Sequence, residues 1–154
     1  FALGLHFQRD IEEQLFAFVK NEWPLTPLVV DVRGEAGCGK SISIKSVAFR
    51  LATEGHLIVW LRRSFGDLSG NNLSLLAPTI AKAIRKSGSR VLVIIDDPIA
   101  SGFDPNEVAT ALRSGSFEWR ILCCRRKTDL ITIQSGPSGN QQGFEFPDDF
   151  SESE

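Results

Sequence analysis

Apolar and polar residues follow two different patterns along the chain, and the two patterns alternate. Short continuous apolar runs are separated by longer stretches in which apolar residues recur every three or four positions. A short continuous apolar run is typical of a strand buried on both faces of a parallel sheet, whereas the three-to-four spacing is typical of an amphipathic helix. Their alternation predicts βαβ units, and therefore an α/β fold with a central parallel sheet.

The same patterns give the approximate bounds of each element. The predicted strands are Leu28–Arg33, Leu57–Leu61, Val91–Ile95 and Trp119–Cys124, with a short fifth strand at Phe144–Phe146. The predicted helices are Arg9–Lys20, Ile42–Ala52, Leu73–Lys86 and a short helix from Pro105 to Leu112. Residues 64–72 and 135–142 are polar and contain glycine, so they are predicted to be loops. A chain of 154 residues with these elements is expected to form one domain.

Residues 34–41, Gly-Glu-Ala-Gly-Cys-Gly-Lys-Ser, connect the first predicted strand to the next helix, and we call them the phosphate loop. Glycines permit positive φ and close backbone approach, so that successive N–H groups can converge on phosphate oxygens. The N-terminus of the following helix adds partial positive charge at the same point. Lys40 is placed to reach the β- and γ-phosphates, and the Ser41 hydroxyl is a hard oxygen ligand suited to Mg²⁺. The pattern Gly-x-x-x-x-Gly-Lys-Ser in this context predicts a nucleoside triphosphate site.

The residues expected to contact the nucleotide are those of the phosphate loop and the residue that follows it. They are Gly34, Glu35, Ala36, Gly37, Cys38, Gly39, Lys40, Ser41 and Ile42. A glycine-rich turn that binds nothing is the alternative interpretation.

The third predicted strand delivers two carboxylates, Asp96 and Asp97, to its carboxyl end. Open parallel sheets bind ligands at that edge, where the phosphate loop must also lie. We expect Asp96 to hold Mg²⁺ beside Ser41, directly or through water. We expect Asp97 to orient or polarise the attacking water. A solvated strand end with two acids is the alternative.

Arg125 follows the fourth predicted strand and is expected at the same edge of the sheet. From there its guanidinium can reach the γ-phosphate and report its presence. The alternative is a surface basic cluster with Arg126 and Lys127. The predicted catalytic residues are thus Asp97, Lys40 and Arg125, and the predicted Mg²⁺ ligands are Ser41 and Asp96.

Composition narrows the choice of partners. A net charge of −2 gives no broad electrostatic reason to expect nucleic acid or a membrane surface, and no apolar run is long enough to span a bilayer. Cys38, Cys123 and Cys124 are not spaced for disulfides or tetrahedral zinc, which indicates a reducing, cytoplasmic compartment. The absence of methionine, the start at Phe1 and the acidic last residues suggest a piece of a longer polypeptide.

Together these residues resemble the STAND class of P-loop ATPases, a group related to the AAA+ proteins. Residues 7–12 (Phe-Gln-Arg-Asp-Ile-Glu) resemble the N-terminal motif of that class, Phe-x-Gly-Arg-Glu. Residues 121–125 are similar to its fourth strand, which ends in a γ-phosphate-sensing arginine, here Arg125. Residues 144–147 resemble the lead-in to a helical and winged-helix lid. The resemblance implies a three-layer P-loop NTPase fold with sheet order 5-1-4-3-2 and helices on both faces.

The resemblance also implies a division of the chain and a function. Residues 1–26 would be the N-terminal motif and a helix packed on the core, 27–134 the NTPase core, and 135–154 a loop and the lead-in to an absent lid. The implied function is a switch in which ATP·Mg²⁺ binding and slow hydrolysis control conformational change and oligomerisation of a multidomain parent. Its partners would be ATP or ADP, effector and sensor domains of the same polypeptide, and further copies of the parent protein. Many bacterial relatives act in antiphage defence.

Two other functions stay open at this point. One is an AAA+-like mechanical ATPase acting on nucleic acid or protein, which needs an arginine finger presented to a neighbour and usually a glutamate in place of Asp97. The other is a scaffold that binds nucleotide without significant hydrolysis, since a ligand at about a thousand times its Kd stabilises a fold by about 4 kcal/mol. ATP is favoured over GTP because the guanine-specifying pattern Asn-Lys-x-Asp does not occur.

Overall fold

The computed structural model describes residues 2–21, 28–62, 73–84, 90–129 and 142–146. The strands are β1 (Leu28–Arg33), β2 (Leu57–Leu61), β3 (Val91–Asp96), β4 (Trp119–Arg125) and β5 (Gln142–Glu145). The helices are α1 (Ala2–Asn21), α2 (Lys40–Thr53), α3 (Leu76–Ile84), α4 (Pro98–Ser101) and α5 (Pro105–Leu112), and a 3₁₀ turn, Leu73–Leu75, precedes α3. Strands β1 and β2 have the bounds that their apolar runs predict.

The strands form one parallel sheet in the order β2-β3-β4-β1-β5. Read from β5 this order is 5-1-4-3-2, so β4 lies between β1, which precedes the phosphate loop, and β3, which ends in Asp96. The carboxyl ends of parallel strands share one edge, and this edge is where open α/β sheets bind ligands. The sheet therefore brings the ends of β1, β4 and β3 side by side, and the predicted α/β class with a parallel sheet is confirmed.

Helices cover both faces of the sheet. Side chains alternate between the two faces along a strand, and the buried residues accordingly separate into two clusters. One cluster joins α1 and α2 to one face and includes Leu15, Val19, Ile44, Val47, Leu51, Val30, Val32, Leu92, Ile94 and Leu122. The other joins α3 and α5 to the opposite face and includes Ile80, Val108, Leu112, Val91, Val93, Ile95 and Ile121. The result is three layers with the sheet in the middle.

The first helix is longer than its pattern predicts. It begins at Ala2 rather than at Arg9, so the whole of the motif at 7–12 lies within the helix. A physical reason is the glutamine at position 8, where the motif of the STAND class has glycine. Glutamine is more favourable than glycine in a helix interior by about 0.5–1 kcal/mol, so the chain has no local reason to leave the helical conformation there.

Other bounds differ by smaller amounts. Helix α2 starts at Lys40, two residues before the predicted Ile42, because its N-cap is Gly39 within the phosphate loop. The predicted helix Leu73–Lys86 is a 3₁₀ turn followed by α3, and its last two positions lie outside the described residues. The predicted fifth strand is shifted, since Gln142–Glu145 pairs with β1.

Two predicted loops fall where the structure gives no description. Residues 64–72 lie wholly outside the described ranges, and of the loop 135–142 only the last residue is described. Of the predicted C-terminal segment 135–154, the structure describes 142–146, which form β5 and Phe146 beside β1. No described helix is both long and apolar enough to cross a membrane.

Candidate nucleotide-binding site

The phosphate loop begins where β1 ends and passes directly into α2. Gly37 and Gly39 have φ values of 82° and 89°, a left-handed conformation that side chains with a Cβ rarely adopt. Gly34 is required for a different reason. A Cβ at this position would lie 2.7 Å from Cys38 Sγ and 2.8 Å from Phe146 Cβ, so the close approach of these groups leaves no room for a side chain. The three glycines of the phosphate loop are therefore fixed by backbone geometry and by packing.

Lys40 lies over the backbone of the phosphate loop. Its side chain is 9% exposed, and its Nζ donates a hydrogen bond of 2.7 Å to the Gly34 carbonyl and another to the Glu35 carbonyl. Cys38 Sγ lies 3.3 Å from the same nitrogen. None of these three groups is a carboxylate, so no carboxylate neighbours the ammonium charge among these contacts. A phosphate oxygen is a stronger partner for such a charge than a carbonyl oxygen.

Ser41 and Asp96 meet although 55 residues separate them in the sequence. The Ser41 hydroxyl, in the first turn of α2, donates to Asp96 Oδ1 over 3.1 Å, and both residues are partly exposed. A hydroxyl and a carboxylate are hard oxygen donors, and Mg²⁺ is usually held by one or two protein oxygens together with substrate phosphates and water. The donor set therefore fits the ion that the sequence predicts, and it lies at the N-terminus of the helix that the phosphate loop opens.

Cys123 and Cys124, near the end of β4, are not reactive thiolates. Burial, and after it the charge of Asp96, raises the pKa of the Cys124 thiol far above its ordinary value. Burial, and after it the charge of Asp31, raises the pKa of Cys123 to about 12. Both thiols are therefore protonated at neutral pH, and neither is suited to nucleophilic or metal chemistry.

Asp97 has a structural task besides the one predicted for it. Its Oδ1 accepts a hydrogen bond of 3.0 Å from the backbone N–H of Ala100, which caps α4, and its own N–H donates to the Cys124 carbonyl. Its φ is 53°, an uncommon value for a residue with a side chain, and such residues concentrate at functional sites. The Asp-Pro pair is a sequence signal for a cap followed by proline at the first helical position. The elements predicted from the sequence do not include α4, although this signal is present.

Arg125 is buried rather than part of an exposed basic cluster. It is 8% exposed, whereas Arg126 is exposed. Its Nε and Nη2 donate to the two carboxylate oxygens of Asp31 over 2.9 and 2.8 Å, and its Nη1 donates to the Asp129 carbonyl over 2.9 Å. The hydrogen bonds to Asp31 are the main reason that the pKa of Arg125 is raised. These contacts direct the guanidinium toward β1 and toward the turn after β4.

Asp31 is the residue at this edge that the sequence analysis missed. It is 1% exposed, lies in the middle of β1, and also accepts a hydrogen bond from Arg33 Nε. The signal was a single acid within the apolar run 28–32, which is unusual because buried carboxylates need a cationic or hydrogen-bonding partner. The structure thus brings Ser41, Asp96 and Lys40 together around the phosphate loop, and it places Arg125 on Asp31 at the adjacent strand ends.

A parallel α/β sheet, a glycine-rich turn from strand to helix, and a carboxylate beside the first turn of that helix are features of P-loop NTPases. The chain belongs to the Novel STAND NTPase 5 family, whose model matches residues 2–137. The resemblance to the STAND class is therefore confirmed. No curated protein matches the chain.

A solved structure shows a similar fold. It is described as "Structure of E. coli MS115-1 HORMA:CdnC:Trip13 complex", and one of its chains superimposes with a TM-score of 0.51 at 17% sequence identity. The match covers 94% of this chain and 55% of that chain, so this chain spans about half the length of its structural relative. At this identity the likeness concerns the fold alone.

Proposed function

We propose that this chain is the nucleotide-binding and slowly hydrolysing ATPase module of a multidomain signal-transduction switch. The observation that carries the proposal is the 3.1 Å hydrogen bond between Ser41 and Asp96, which joins the two predicted Mg²⁺ ligands at the end of the phosphate loop. Membership of the Novel STAND NTPase 5 family supports the same function. In this proposal ATP·Mg²⁺ controls a conformational change and the association of copies of the parent protein.

Each residue of the site has a part in this function. The loop backbone and the N-terminus of α2 bind the phosphates, and Lys40 moves from carbonyl oxygens to phosphate oxygens. Ser41 and Asp96 hold Mg²⁺, which neutralises the negative charge of the β- and γ-phosphates. Asp97 orients the attacking water, and the cap that it provides to α4 fixes where its carboxylate lies. Arg125 recognises the γ-phosphate and so distinguishes ATP from ADP.

Calorimetric titration with ATP·Mg²⁺ and with ADP, together with a phosphate-release assay at several protein concentrations, tests this function. We expect ATP binding that depends on Mg²⁺, and release that is slow or that rises with protein concentration because catalysis depends on neighbouring copies. Fast release that is independent of protein concentration would favour an autonomous ATPase over a switch. Absence of binding to either nucleotide would contradict the proposal as a whole.

One observation favours a second function, a scaffold that binds nucleotide without hydrolysis. One oxygen of Asp97 is already used by the cap of α4, which limits its freedom to serve as a base. The variant Asp97→Asn separates the two tasks of this residue, because asparagine caps helices about as well as aspartate but does not accept a proton at neutral pH.

We expect Asp97→Asn to keep ATP affinity and thermal stability and to lower turnover about 100-fold, the usual contribution of a positioned base. The matched control is Asp104→Asn, which changes the N-cap of α5 in the same way. Unchanged turnover in Asp97→Asn would assign the positioning of water to another group. An absence of turnover in the unmodified protein would favour the scaffold.

A further inference from the structure

The Asp31 carboxylate accepts hydrogen bonds from two arginines, Arg33 and Arg125, and this arrangement affects how ATP is recognised. We propose that Asp31 is a positioning residue that competes with the γ-phosphate for Arg125. When ATP binds, the guanidinium leaves Asp31 for the phosphate, and Arg33 remains on the carboxylate. This inference rests on the proposed function, and specifically on a triphosphate bound at the phosphate loop.

The ion pair of Asp31 and Arg125 is strong enough to compete with a ligand. It is bidentate, with N···O distances of 2.9 and 2.8 Å, and both partners are buried, at 1% and 8% exposure. Bidentate pairs between arginine and an oxyanion are among the strongest hydrogen bonds in proteins, and carboxylate and phosphate compete for the same donors. The side chain that would report a γ-phosphate is therefore already engaged by an anion inside the sheet.

Arg33 allows this exchange, because it is a second cation beside the Asp31 carboxylate. A buried carboxylate left without a cation is strongly unfavourable, which would prevent Arg125 from leaving if it were the sole partner. Arg33 donates to Asp31 from the partly exposed side of β1, where its own side chain is 42% exposed. The second arginine can neutralise Asp31 after the first has left, so the charge balance of the sheet is kept in both arrangements.

Movement of Arg125 also changes the turn that follows β4. The Nη1 group of Arg125 donates to the Asp129 carbonyl, and the turn is closed by hydrogen bonds between Arg126 and Asp129. Lys127 of the same turn forms a salt bridge with Glu145 at the end of β5. Release of the guanidinium removes one hydrogen bond that supports this turn. Binding of a γ-phosphate would therefore affect a turn at the surface of the protein.

The test is the preference for ATP over ADP, measured as the ratio of their dissociation constants, because ADP has no γ-phosphate. We expect Asp31→Asn to raise the preference about tenfold, since its neutral amide holds Arg125 less tightly, and to leave ADP affinity unchanged. We expect Arg125→Ala to lower the preference, and the double variant to behave as Arg125→Ala does. The matched control is Glu118→Gln, which removes an exposed acid–arginine pair with Arg90 and is expected to change nothing.

A second variant keeps the test decisive if Asp31→Asn does not fold. Arg33→Gln leaves the Asp31–Arg125 pair in place but removes the cation that would remain, so we expect it to lower the preference for ATP. An unchanged or lowered preference in folded Asp31→Asn, or an unchanged preference in Arg33→Gln or Arg125→Ala, overturns the inference. Failure of the unmodified protein to bind either ATP or ADP would contradict the proposed function instead. The failure of the inference and the failure of the proposed function are therefore distinguishable.

Discussion

Replacing Lys40 with alanine is expected to lower the affinity for ATP about 100-fold or more. The ammonium group is nearly buried in the phosphate loop, where its present partners are the Gly34 and Glu35 carbonyls. Truncating one member of a buried, hydrogen-bonded charge pair typically costs 2–5 kcal/mol, and each 1.4 kcal/mol is a factor of about ten in affinity. Calorimetric titration with ATP·Mg²⁺ measures the effect directly.

The control for this experiment is Lys45→Ala on the same helix. Lys45 is exposed, so the variant makes the same change of net charge without touching the phosphate loop. We expect its affinity for ATP to equal that of the unmodified protein, and we expect circular dichroism to show the same helix content in both variants. Equal affinity in Lys40→Ala and Lys45→Ala would contradict the assignment of the site.

The largest expected effect on stability comes from Arg120. This residue of β4 is 1% exposed, and its Nη1 donates to the carbonyls of Phe18 and Val19 near the end of α1, over 3.1 and 3.2 Å. A cation at the C-terminus of a helix is favourable, and removing it leaves carbonyl groups without these bonds and a cavity in place of a long side chain. We expect Arg120→Ala to lower the free energy of unfolding by about 3 kcal/mol.

Equilibrium unfolding in urea, without nucleotide, measures this change. Arg120→Met is a useful companion, because it fills most of the volume but donates no hydrogen bond, so it should cost less than Arg120→Ala. Arg113→Ala, at an exposed position after α5, is the control for loss of an arginine charge. If Arg120→Ala and Arg113→Ala had equal midpoints, the contact between α1 and the sheet would not depend on this side chain.

The bounds of the strands could be read from the sequence because burial on both faces leaves a continuous apolar run. This is why β1 and β2 were predicted to the residue. The same reasoning failed for α4, since a helix of four residues is too short to show any periodicity. It also failed at the start of α1, because the apolar spacing begins near Arg9 whereas the helix begins at Ala2.

The phosphate loop and the contact of Ser41 with Asp96 could be anticipated because the motif itself encodes both local geometry and a partner on a buried strand. The pairing of Arg125 with Asp31 could not, because 94 residues separate the two and only the order of the strands brings them together. An acid in an apolar run indicates that a partner exists without saying which one. Arg120 was also missed, because its partners are backbone carbonyls of α1, which lie 102 and 101 residues away in the sequence.

The last described residues, those of β5 and Phe146, contact the end of β1 and the start of the phosphate loop. These contacts link local opening of the fold at β5 to the phosphate loop. β5 is a four-residue strand that pairs with β1, and the N–H of Phe146 donates to the Arg33 carbonyl over 2.8 Å. Phe146 also packs where a Cβ on Gly34 would lie. A short strand at the edge of a sheet opens more readily than the core, so we expect β5 and the first residue of the loop to open together. We therefore expect that a bound phosphate, by making the loop more rigid, slows amide exchange in β5, and that separation of β5 from β1 lowers the affinity for nucleotide.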